Sequence, residues 1–403
     1  MNTSTNGSAY AKAPGRSNER LTQVGPGTPC GKLMRRYWQP IALSAKVTTR
    51  PQAARLLGED LILFRDPSGR AGLLHSRCAH RGTTLYYGRV EERGIRCCYH
   101  GWLFDVEGNC LEQPCERGGG INLRVARQPW YPVEERYGLV FAYMGPLDRK
   151  PLLPRYDTME DLEPDEILEN EDESFYIGGG PFSSEQPIVP MNYLQVFENV
   201  MDAYHVYVLH TKFTGTQFRQ EFGVMPEVTW DYVDHGVAYF ADRRLENGNV
   251  LHRITQVLLP NVRCVPTIEM TPGRGNEIAW FVPVDDTHVR TFGVARARQP
   301  GGTYTRRSRR ASYEGRLWSE LSPDEHQIFP GDYEAQLGQG TVTLHSEEHL
   351  VGSDRGIILL RKLLDREMKA VAEGKDPIGT AFDGGDPVVR VRAGNYYKEP
   401  VAS

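Results

Sequence analysis

Two short segments of this chain carry the side chains that decide its fold: Cys78-Ala-His-Arg-Gly82 and Cys97-Cys-Tyr-His-Gly-Trp102. The pattern is Cys-x-His, a 16-residue gap and then Cys-x-x-His, so each segment supplies one thiol and one imidazole. Thiolates and imidazoles are the usual protein ligands of zinc and of several iron centres. The two segments therefore predict a metal centre that is held between two loops.

The order of the four ligands separates two possible centres. A structural Cys₂His₂ zinc site usually has its two cysteines together and its two histidines together on a helix. Here Cys78 and His80 form one pair and Cys97 and His100 form the other, which favours a Rieske-type [2Fe–2S] cluster, where two Cys bind one iron and two His bind the other. Cys98 is a rival ligand, but neighbouring side chains in an extended segment point in opposite directions.

The composition is that of an ordinary globular protein that has more than one domain. The chain has 403 residues, 25% charged and 39% hydrophobic, and its formal charge of −5 gives no electrostatic reason to expect nucleic acid binding. We find no apolar run long enough to span a membrane and no apolar core of a signal peptide. An odd number of cysteines, seven, argues against a secreted disulfide framework and predicts packing thiols in a reducing cytoplasm.

The pattern of short apolar runs and turn signals in the sequence predicts an α+β protein. Residues 1–20 read as a disordered tail, and residues 21–150 contain short β-like runs separated by turns, which indicate a small antiparallel β-domain with a helix at its start. Residues from 151 to the acidic run that ends near 173 read as a linker, and the second domain spans 151–403. Within it we predict a helix near 192–209, strands from about 225 to 297 and a long helix over 354–373.

The helix near 192–209 carries a second group of candidate ligands. Asp202 and His205 are three residues apart, hence neighbours on a helix, whereas His210 lies five residues beyond His205 and far round the axis. If both imidazoles bind one metal, the helix must bulge or end between them. Two His and one carboxylate suit an open iron site, with Asp202 placed as a hydrogen-bond partner of an imidazole. The alternative is that both histidines are satisfied core residues.

These motifs resemble those of the large subunits of Rieske non-haem iron oxygenases, from about Leu21 to the C-terminal helix. The family's Cys-x-His and Cys-x-x-His segments match the first constellation, and its Asp-x-x-His-x₄-His motif matches Asp202, His205 and His210. The resemblance implies an N-terminal Rieske [2Fe–2S] antiparallel β-domain followed by a helix-grip catalytic domain, an antiparallel sheet with helices. It also implies a third iron ligand near the last helix, for which Asp332 is the candidate. Its competitors are Asp324, Glu334, Glu347 and Glu348.

The opening Val24-Gly-Pro-Gly-Thr-Pro and the Gly331-Asp-Tyr-Glu segment are similar to the phthalate dioxygenase and phenoxybenzoate dioxygenase branch. The resemblance implies a [2Fe–2S] cluster, a mononuclear Fe(II), O₂, NAD(P)H-derived electrons from a separate flavin and iron–sulfur reductase, and a homotrimer or a pair of trimers. It implies that Asp202 joins a cluster histidine of one chain to His205 of the next, with His100 as the partner. Asn199, one turn earlier, either tunes the site or faces solvent.

The reaction class implied is hydroxylation, dihydroxylation, or O-dealkylation or cleavage of an aromatic acid or aryl ether, within the catabolism of aromatic compounds. Arg263 is a candidate to bind an aromatic carboxylate, although most arginines are surface groups. Two other classes stay open at this point. One is a Rieske-type electron carrier without oxygenase chemistry, and the other is a zinc-stabilised binding protein.

Overall fold

The computed structural model describes residues 9, 12–118, 120, 123–171, 188–213, 219–266, 275–298, 321–385 and 387–398. The α-helices are α1 (Glu19–Thr22), α2 (Pro29–Met34), α3 (Asp157–Glu160), α4 (Tyr193–Asn199), α5 (His205–Tyr207), α6 (Pro323–Ile328), α7 (Asp332–Leu337) and α8 (Arg355–Ala372). The π-helix is Val208–Phe213, and 3₁₀ turns lie at Ser44–Lys46, Leu85–Tyr87, Leu147–Arg149, Gln220–Gly223, His345–Glu347 and Gly352–Asp354.

The strands of the N-terminal half are short, as the turn signals predicted. They are β1 (Trp38–Leu43), β2 (Gln52–Leu56), β3 (Glu59–Arg65), β4 (Ala71–His75), β5 (Arg89–Glu91), β6 (Gly94–Arg96), β7 (Leu103–Phe104), β8 (Cys110–Glu112), β9 (Trp130–Tyr131), β10 (Val133–Arg136) and β11 (Leu139–Tyr143). They form three small sheets with the orders β1-β11-β10, β2-β3-β4-β9 and β5-β6-β7-β8. The last of these sheets carries the second Cys-His segment in the connection from β6 to β7.

The C-terminal half is built on one large antiparallel sheet. Its strands are β12 (Arg155–Tyr156), β13 (Ile167–Glu171), β14 (Glu227–Val233), β15 (Gly236–Arg244), β16 (Val250–Leu258), β17 (Val262–Cys264), β18 (Glu277–Asp285), β19 (His288–Ala297), β20 (Val388–Val389) and β21 (Gly394–Lys398). Eight of them form the sheet β13-β19-β18-β17-β16-β15-β14, with β21 paired to β16. The long helix α8 packs against β14 and β15. The predicted α+β class is confirmed.

Two parts of the sequence prediction differ from the structure. The acidic segment predicted as a linker contains β13, which pairs with β19 at the edge of the large sheet. Along this strand burial increases from exposed Ile167 to buried Glu171, so the strand is fixed by its backbone pairing and not by an apolar pattern of its own. The helix predicted near 192–209 is interrupted at residues 200–204. The reason is that the Asp202 carboxylate accepts hydrogen bonds from the backbone N–H groups of Tyr204 and His205, which starts a new helix.

Residues 12–18, within the described part of the segment before α1, make contacts with the C-terminal half. Arg16 and Ser346 exchange two hydrogen bonds, Arg16 N to Ser346 Oγ at 2.8 Å and Ser346 N to Arg16 O at 3.0 Å. Lys12 makes an ion pair with Glu347. These contacts hold residues 12–18 against the C-terminal half. The partners lie more than three hundred residues away in the sequence, so the polar composition of the segment alone does not reveal them.

Two buried clusters of apolar side chains hold these layers together. The larger one joins α1, α2, β1 and β11 to the large sheet, α4 and α8, so the two halves share a core. The smaller one gathers Ile62, Phe64, Leu74, Leu85, Ile95 and Phe104 around Cys78 and Cys97. Among the described residues, no helix is both long and apolar enough to cross a membrane.

Candidate metal centres

The two Cys-His segments form loops with the same backbone hydrogen-bond pattern. In the first, Cys78 N donates to Thr83 O at 2.9 Å and Gly82 N donates back to Cys78 O at 2.8 Å. In the second, Cys97 N donates to Trp102 O at 2.9 Å and Gly101 N donates back to Cys97 O at 3.1 Å. Both glycines have positive φ, 75° and 72°, which an L-residue rarely adopts. The sequences differ, but the loops are structurally matched.

The loops bring their predicted ligands together. Cys78 and Cys97 are 3% and 4% exposed, and the rings of His80 and His100 stand edge to face with centroids 4.5 Å apart. The His80 ring also stacks on Trp102, at 4.5 Å and 7° between planes. Each loop therefore contributes one buried thiol and one imidazole to the same end of the small sheet.

The surroundings of the thiols suit a cluster rather than two free cysteines. Burial, together with the neighbouring Cys97, raises the pKa of the Cys78 thiol to about 12. The backbone N–H groups of His80 and Arg81 point at its sulfur and lower the pKa, but by less. A buried thiol such as Cys78 becomes anionic beside a cation such as iron. The donor set of two thiols and two imidazoles, with amide donors to sulfur, fits a Rieske [2Fe–2S] cluster.

Sequence reasoning missed a residue that fixes the first loop. Gln128 is fully buried; its Oε1 accepts from Ala79 N at 2.7 Å, and its Nε2 donates to His75 O at 2.7 Å and to Arg77 O at 2.8 Å. Its amide thus satisfies three backbone groups on either side of Cys78. No local motif marks Gln128, because it reaches the loop from about fifty residues further along the chain.

The prediction that the other five cysteines are packing thiols is confirmed for three of them and is wrong for Cys98 and Cys115, which are exposed. Cys98 is exposed while its neighbour Cys97 is buried, as the alternation of an extended segment predicts. Cys30, Cys110 and Cys264 are buried packing thiols, and Cys115 is exposed.

The second site lies where the interrupted helix resumes. His205 begins α5, and the chain then winds as a π-helix through His210. An α-helix would place the fifth residue about 140° round the axis, whereas the i→i+5 pattern of a π-helix returns it to nearly the same face. The two imidazoles stand 5.3 Å apart between ring centroids. The bulge that the His-x₄-His spacing demanded is therefore present.

Asp332, the first residue of α7, completes this second group. Its Oδ1 lies 3.1 Å from His210 Nε2 and 3.5 Å from His205 Nε2. Ligand atoms of the three residues all lie within 4.8 Å of one another, and no other such group of His, Cys, Asp and Glu occurs in the described part of the chain. Of its sequence competitors, Asp324 is exposed and Glu334 instead accepts from Gly331 N and contacts His326.

The electrostatics of Asp332 keep it anionic although it is only 5% exposed. Burial alone would raise the pKa of Asp332, but the nearby imidazoles of His210 and His205 and hydrogen bonds from His210 and Asn199 outweigh it and hold the pKa well below its usual range. Asn199 therefore faces the site rather than solvent. Two imidazoles and one carboxylate on one side fit a mononuclear iron that has open positions for other ligands.

Asp202 contacts His205 in a way that sets the imidazole tautomer. The backbone carbonyl of Asp202 lies 2.6 Å from His205 Nδ1, and because a carbonyl only accepts, Nδ1 carries the hydrogen. Nε2 is left with its lone pair toward Asp332. The Asp202 carboxylate is 3.8 Å from His205 Nδ1, and its side chain is 31% exposed. The carboxylate therefore lies at the protein surface beside the proposed iron site.

Arg263 does not have the environment expected of a substrate-binding group. Its guanidinium is buried and ion-paired to Glu277, which is itself 2% exposed. A neighbouring carboxylate already neutralises this arginine.

The comparisons with known proteins show the family of the chain. A family model described as the Rieske [2Fe-2S] domain matches residues 37–131. The alpha subunit of phenoxybenzoate dioxygenase from Ectopseudomonas oleovorans is 55% identical over 395 residues, 97% of this chain and 94% of the relative. The oxygenase subunit of a tert-butanol monooxygenase and tert-amyl alcohol desaturase from Aquincola tertiaricarbonis is 39% identical, over 94% of this chain and 80% of the relative.

Solved structures show the same fold at low sequence identity. A crystal structure of dicamba monooxygenase bound to dicamba is 16% identical, covers 84% of this chain and 99% of its own, and superimposes with a TM-score of 0.59.

Proposed function

The chain belongs to the large subunits of the Rieske non-haem iron oxygenases, and on this premise we propose that its substrate is an aromatic acid that carries an aryl ether, of the phenoxybenzoate class. The observation that supports this class is the 55% identity to a phenoxybenzoate dioxygenase along 94% of that protein. The relative at 39% identity is named for tertiary alcohols, so the substrate changes within the family as identity falls.

The protein is the oxygenase component of a Rieske system. It uses O₂ and electrons from a separate reductase to oxidise an aromatic substrate, and its cofactors are a [2Fe–2S] cluster and a mononuclear iron. Family membership removes the two alternatives of an electron carrier and a zinc-stabilised binding protein.

We assign the ligands of the two cofactors to the residues that the structure gathers. The cluster ligands are Cys78, His80, Cys97 and His100, and the iron ligands are His205, His210 and Asp332. Support comes from the buried thiol pair with its adjacent imidazoles, and from the three donor atoms within 4.8 Å of one another. When bound, the cluster supplies electrons singly and the iron offers open positions for O₂ beside the substrate.

The chain's own residues hold the iron ligands in the required protonation states. The Asp202 carbonyl keeps the hydrogen of His205 on Nδ1, so Nε2 is free to bind metal. Asn199 donates to Asp332, and the burial of Asp332 excludes bulk water from the carboxylate. In this arrangement Asp202 and Asn199 are positioning residues, since each acts through an iron ligand.

We place Asp202 at the junction between two copies of the chain in a homotrimer or a pair of trimers. His100 of one copy would meet the Asp202 carboxylate of the next, and Asp202 in turn contacts His205. The partial exposure of the Asp202 side chain, 31%, and the half-buried position of His100 at the tip of its loop support this arrangement. We also place the protein in the reducing cytoplasm, because all seven cysteines are free thiols.

The first test is the metal and acid-labile sulfide content of anaerobically purified protein, with its visible spectrum. We expect about three irons to two sulfides per chain and a red-brown colour. About two irons to two sulfides that reconstitution does not change would contradict the assignment of the iron ligands. Zinc without sulfide would contradict the assignment of the cluster ligands.

The second test concerns the reaction. With a reductase, NAD(P)H and ¹⁸O₂, we expect phenoxybenzoate to be cleaved at its ether bond, with label from O₂ in the product. A labelled product that keeps the ether bond would indicate ring hydroxylation instead. The absence of turnover with phenoxybenzoate, together with turnover of a neutral substrate, would contradict the proposed substrate class.

A further inference from the structure

The second cluster loop is held by a charged side chain at its base. Arg96 is the last residue of β6 and directly precedes Cys97, a proposed cluster ligand. Its Nη1 donates to Gly101 O at 2.6 Å. Gly101 follows the proposed ligand His100, and its own N–H donates to Cys97 O. The guanidinium group therefore binds the loop at the residue where the backbone turns back on Cys97.

Two carboxylates hold the guanidinium group in this position. Arg96 Nε donates to Glu91 Oε1 at 2.9 Å, and Nη2 donates to Glu91 Oε2 at 2.8 Å. Nη2 also donates to Glu112 Oε2 at 2.7 Å. Two parallel hydrogen bonds to one carboxylate fix the plane of a guanidinium group. The direction of Nη1 toward Gly101 O is therefore fixed as well.

The two cluster loops differ in the charge of the side chain that supports them. The first loop is supported by the neutral amide of Gln128, whereas the second is supported by the cation of Arg96. An arginine in a protein does not lose its proton. Glu91 keeps its negative charge, because the hydrogen bonds from Arg96 lower its pKa to about 2. A permanent cation is therefore in hydrogen-bond contact with the backbone of the second loop.

This cation belongs to a network that is positive as a whole. Arg89 pairs with Glu91, and Arg93 pairs with Glu112, on the outer side of the two carboxylates. Together with Arg96 these side chains are three arginines and two glutamates, which sum to one positive charge. The Arg96 side chain is only 19% exposed, so water screens its charge less than that of an outer arginine.

We propose that Arg96 is a positioning residue of the [2Fe–2S] cluster, which holds the loop of Cys97 and His100 and whose charge favours the reduced cluster. The inference rests on the proposed function, because it takes these two residues as cluster ligands. Reduction by the reductase adds one electron to the cluster. A cation held against a ligand loop therefore stabilises the reduced form more than the oxidised form.

The test is the midpoint potential of the cluster in the purified holoenzyme, measured by a redox titration that the visible absorbance monitors. Arg96→Gln removes the charge, whereas Arg96→Lys keeps it. At a given applied potential, we expect Arg96→Gln to lower the ratio of reduced to oxidised cluster at least about threefold, which is about 28 mV for one electron. Arg96→Lys should have a potential close to that of wild type.

Two further variants separate the charge of the network from contact with the loop. Glu91→Gln removes a negative charge beside Arg96, so it should shift the potential in the opposite direction, upward. Arg93→Gln is the control, because Arg93 has a 60% exposed side chain and pairs with Glu112 instead of binding Gly101. Solvent screening should make its shift much smaller than that of Arg96→Gln.

Retention of the cluster tests the supporting part of the proposal. In the presence of an iron chelator, Arg96→Gln and Arg96→Lys should lose their visible absorbance faster than Arg93→Gln, because both lack the guanidinium fork that binds Glu91 and Gly101 together. Retention equal to that of Arg93→Gln would overturn the proposal, and so would an unchanged potential in Arg96→Gln.

A downward shift in Glu91→Gln would overturn the proposal as well, and this variant decides alone if Arg96→Gln assembles no cluster. Failure of the proposed function would appear differently, as absence of oxygenation by wild type while the shifts in potential persist.

Discussion

The cluster loops and the iron site assemble their ligands over very different distances along the chain. All four proposed cluster ligands come from residues 78–100, in two loops that share one hydrogen-bond pattern. The iron site joins His210 to Asp332, 122 residues away, and depends on an interrupted helix and a π-helical turn. The cluster site is encoded locally, whereas the iron site exists only when the helices around α4 and α7 are packed.

The comparison predicts that the two metal sites can be damaged separately. Changes in α4, α7 or α8 should empty the iron site and leave the cluster, and changes near the loops should do the reverse. The visible spectrum reports the cluster, and the iron content beyond the cluster reports the second site.

The largest effect is expected from Asp332→Asn. The asparagine amide lacks the negative charge of the proposed iron ligand. Mutation of a group that only hydrogen-bonds a metal ligand lowers metal affinity or activity about 10–100-fold, so we expect loss of the ligand itself to lower turnover at least about 100-fold. Iron analysis should show the mononuclear iron missing with the cluster spectrum unchanged. Asp324→Asn, in the exposed first turn of α6, is the control and should behave as wild type. Retention of iron by Asp332→Asn would remove Asp332 from the ligand set.

Asp202→Asn tests the link between the two regions rather than either one. Asparagine keeps the side-chain oxygen that accepts from Tyr204 N and His205 N, at 2.9 Å and 3.2 Å, but has no charge. Both metals should stay bound, while oxidation of the reduced cluster by O₂ and substrate slows about 10–100-fold in single-turnover measurements. Unchanged rates would show that the carboxylate does not connect the sites.

Gln128→Ala should damage the cluster alone. It leaves three buried backbone groups of the first loop without their partner, each worth about 1–3 kcal/mol. We expect the cluster to be lost faster on dilution or mild heating, which the visible absorbance monitors. The iron site of freshly prepared protein should be unaffected. Gln113→Ala is the matched control, because Gln113 is also buried but contacts Cys110 instead of the loop. Equal cluster stability in the two variants would contradict the supporting role of Gln128.

The smallest effect is expected from Gly356→Ala in the first turn of α8. A Cβ at this position would lie 2.5 Å from Met201 O and from Trp230 Nε1, which are hydrogen-bonded to each other at the helix interruption. We expect a loss of about 1–2 kcal/mol in the free energy of unfolding and a modest fall in iron affinity, with the cluster untouched. Gly352→Ala has open space around it and should be neutral. A larger effect on the cluster than on the iron would contradict the separation of the two sites.

The sequence was most informative where ligands and their support are local. Residue type and spacing predict Cys78, His80, Cys97 and His100 as cluster ligands. The spacing of His205 and His210 demanded a bulge, and the π-helical turn provides it. These features depend on a few consecutive residues.

The remaining features depend on packing. Asp332 came from family resemblance alone, because several acids near it are equivalent in sequence. The strand β13 was mistaken for a linker because charged residues dominate one face of an edge strand. Nothing in the sequence distinguishes Arg263 from a free arginine, and only the fold pairs it with Glu277.

The docking of residues 12–18 on residues 345–347 has a consequence for the order of events during synthesis. Residues 12–18 leave the ribosome early, but their partners Ser346 and Glu347 are made more than three hundred residues later. The cluster region has its ligands and their supporting Gln128 within the first third of the chain, so it can close while translation continues. The catalytic half must wait until α8 has been made, and until then the nascent chain exposes the apolar surface that α8 covers, which invites chaperones.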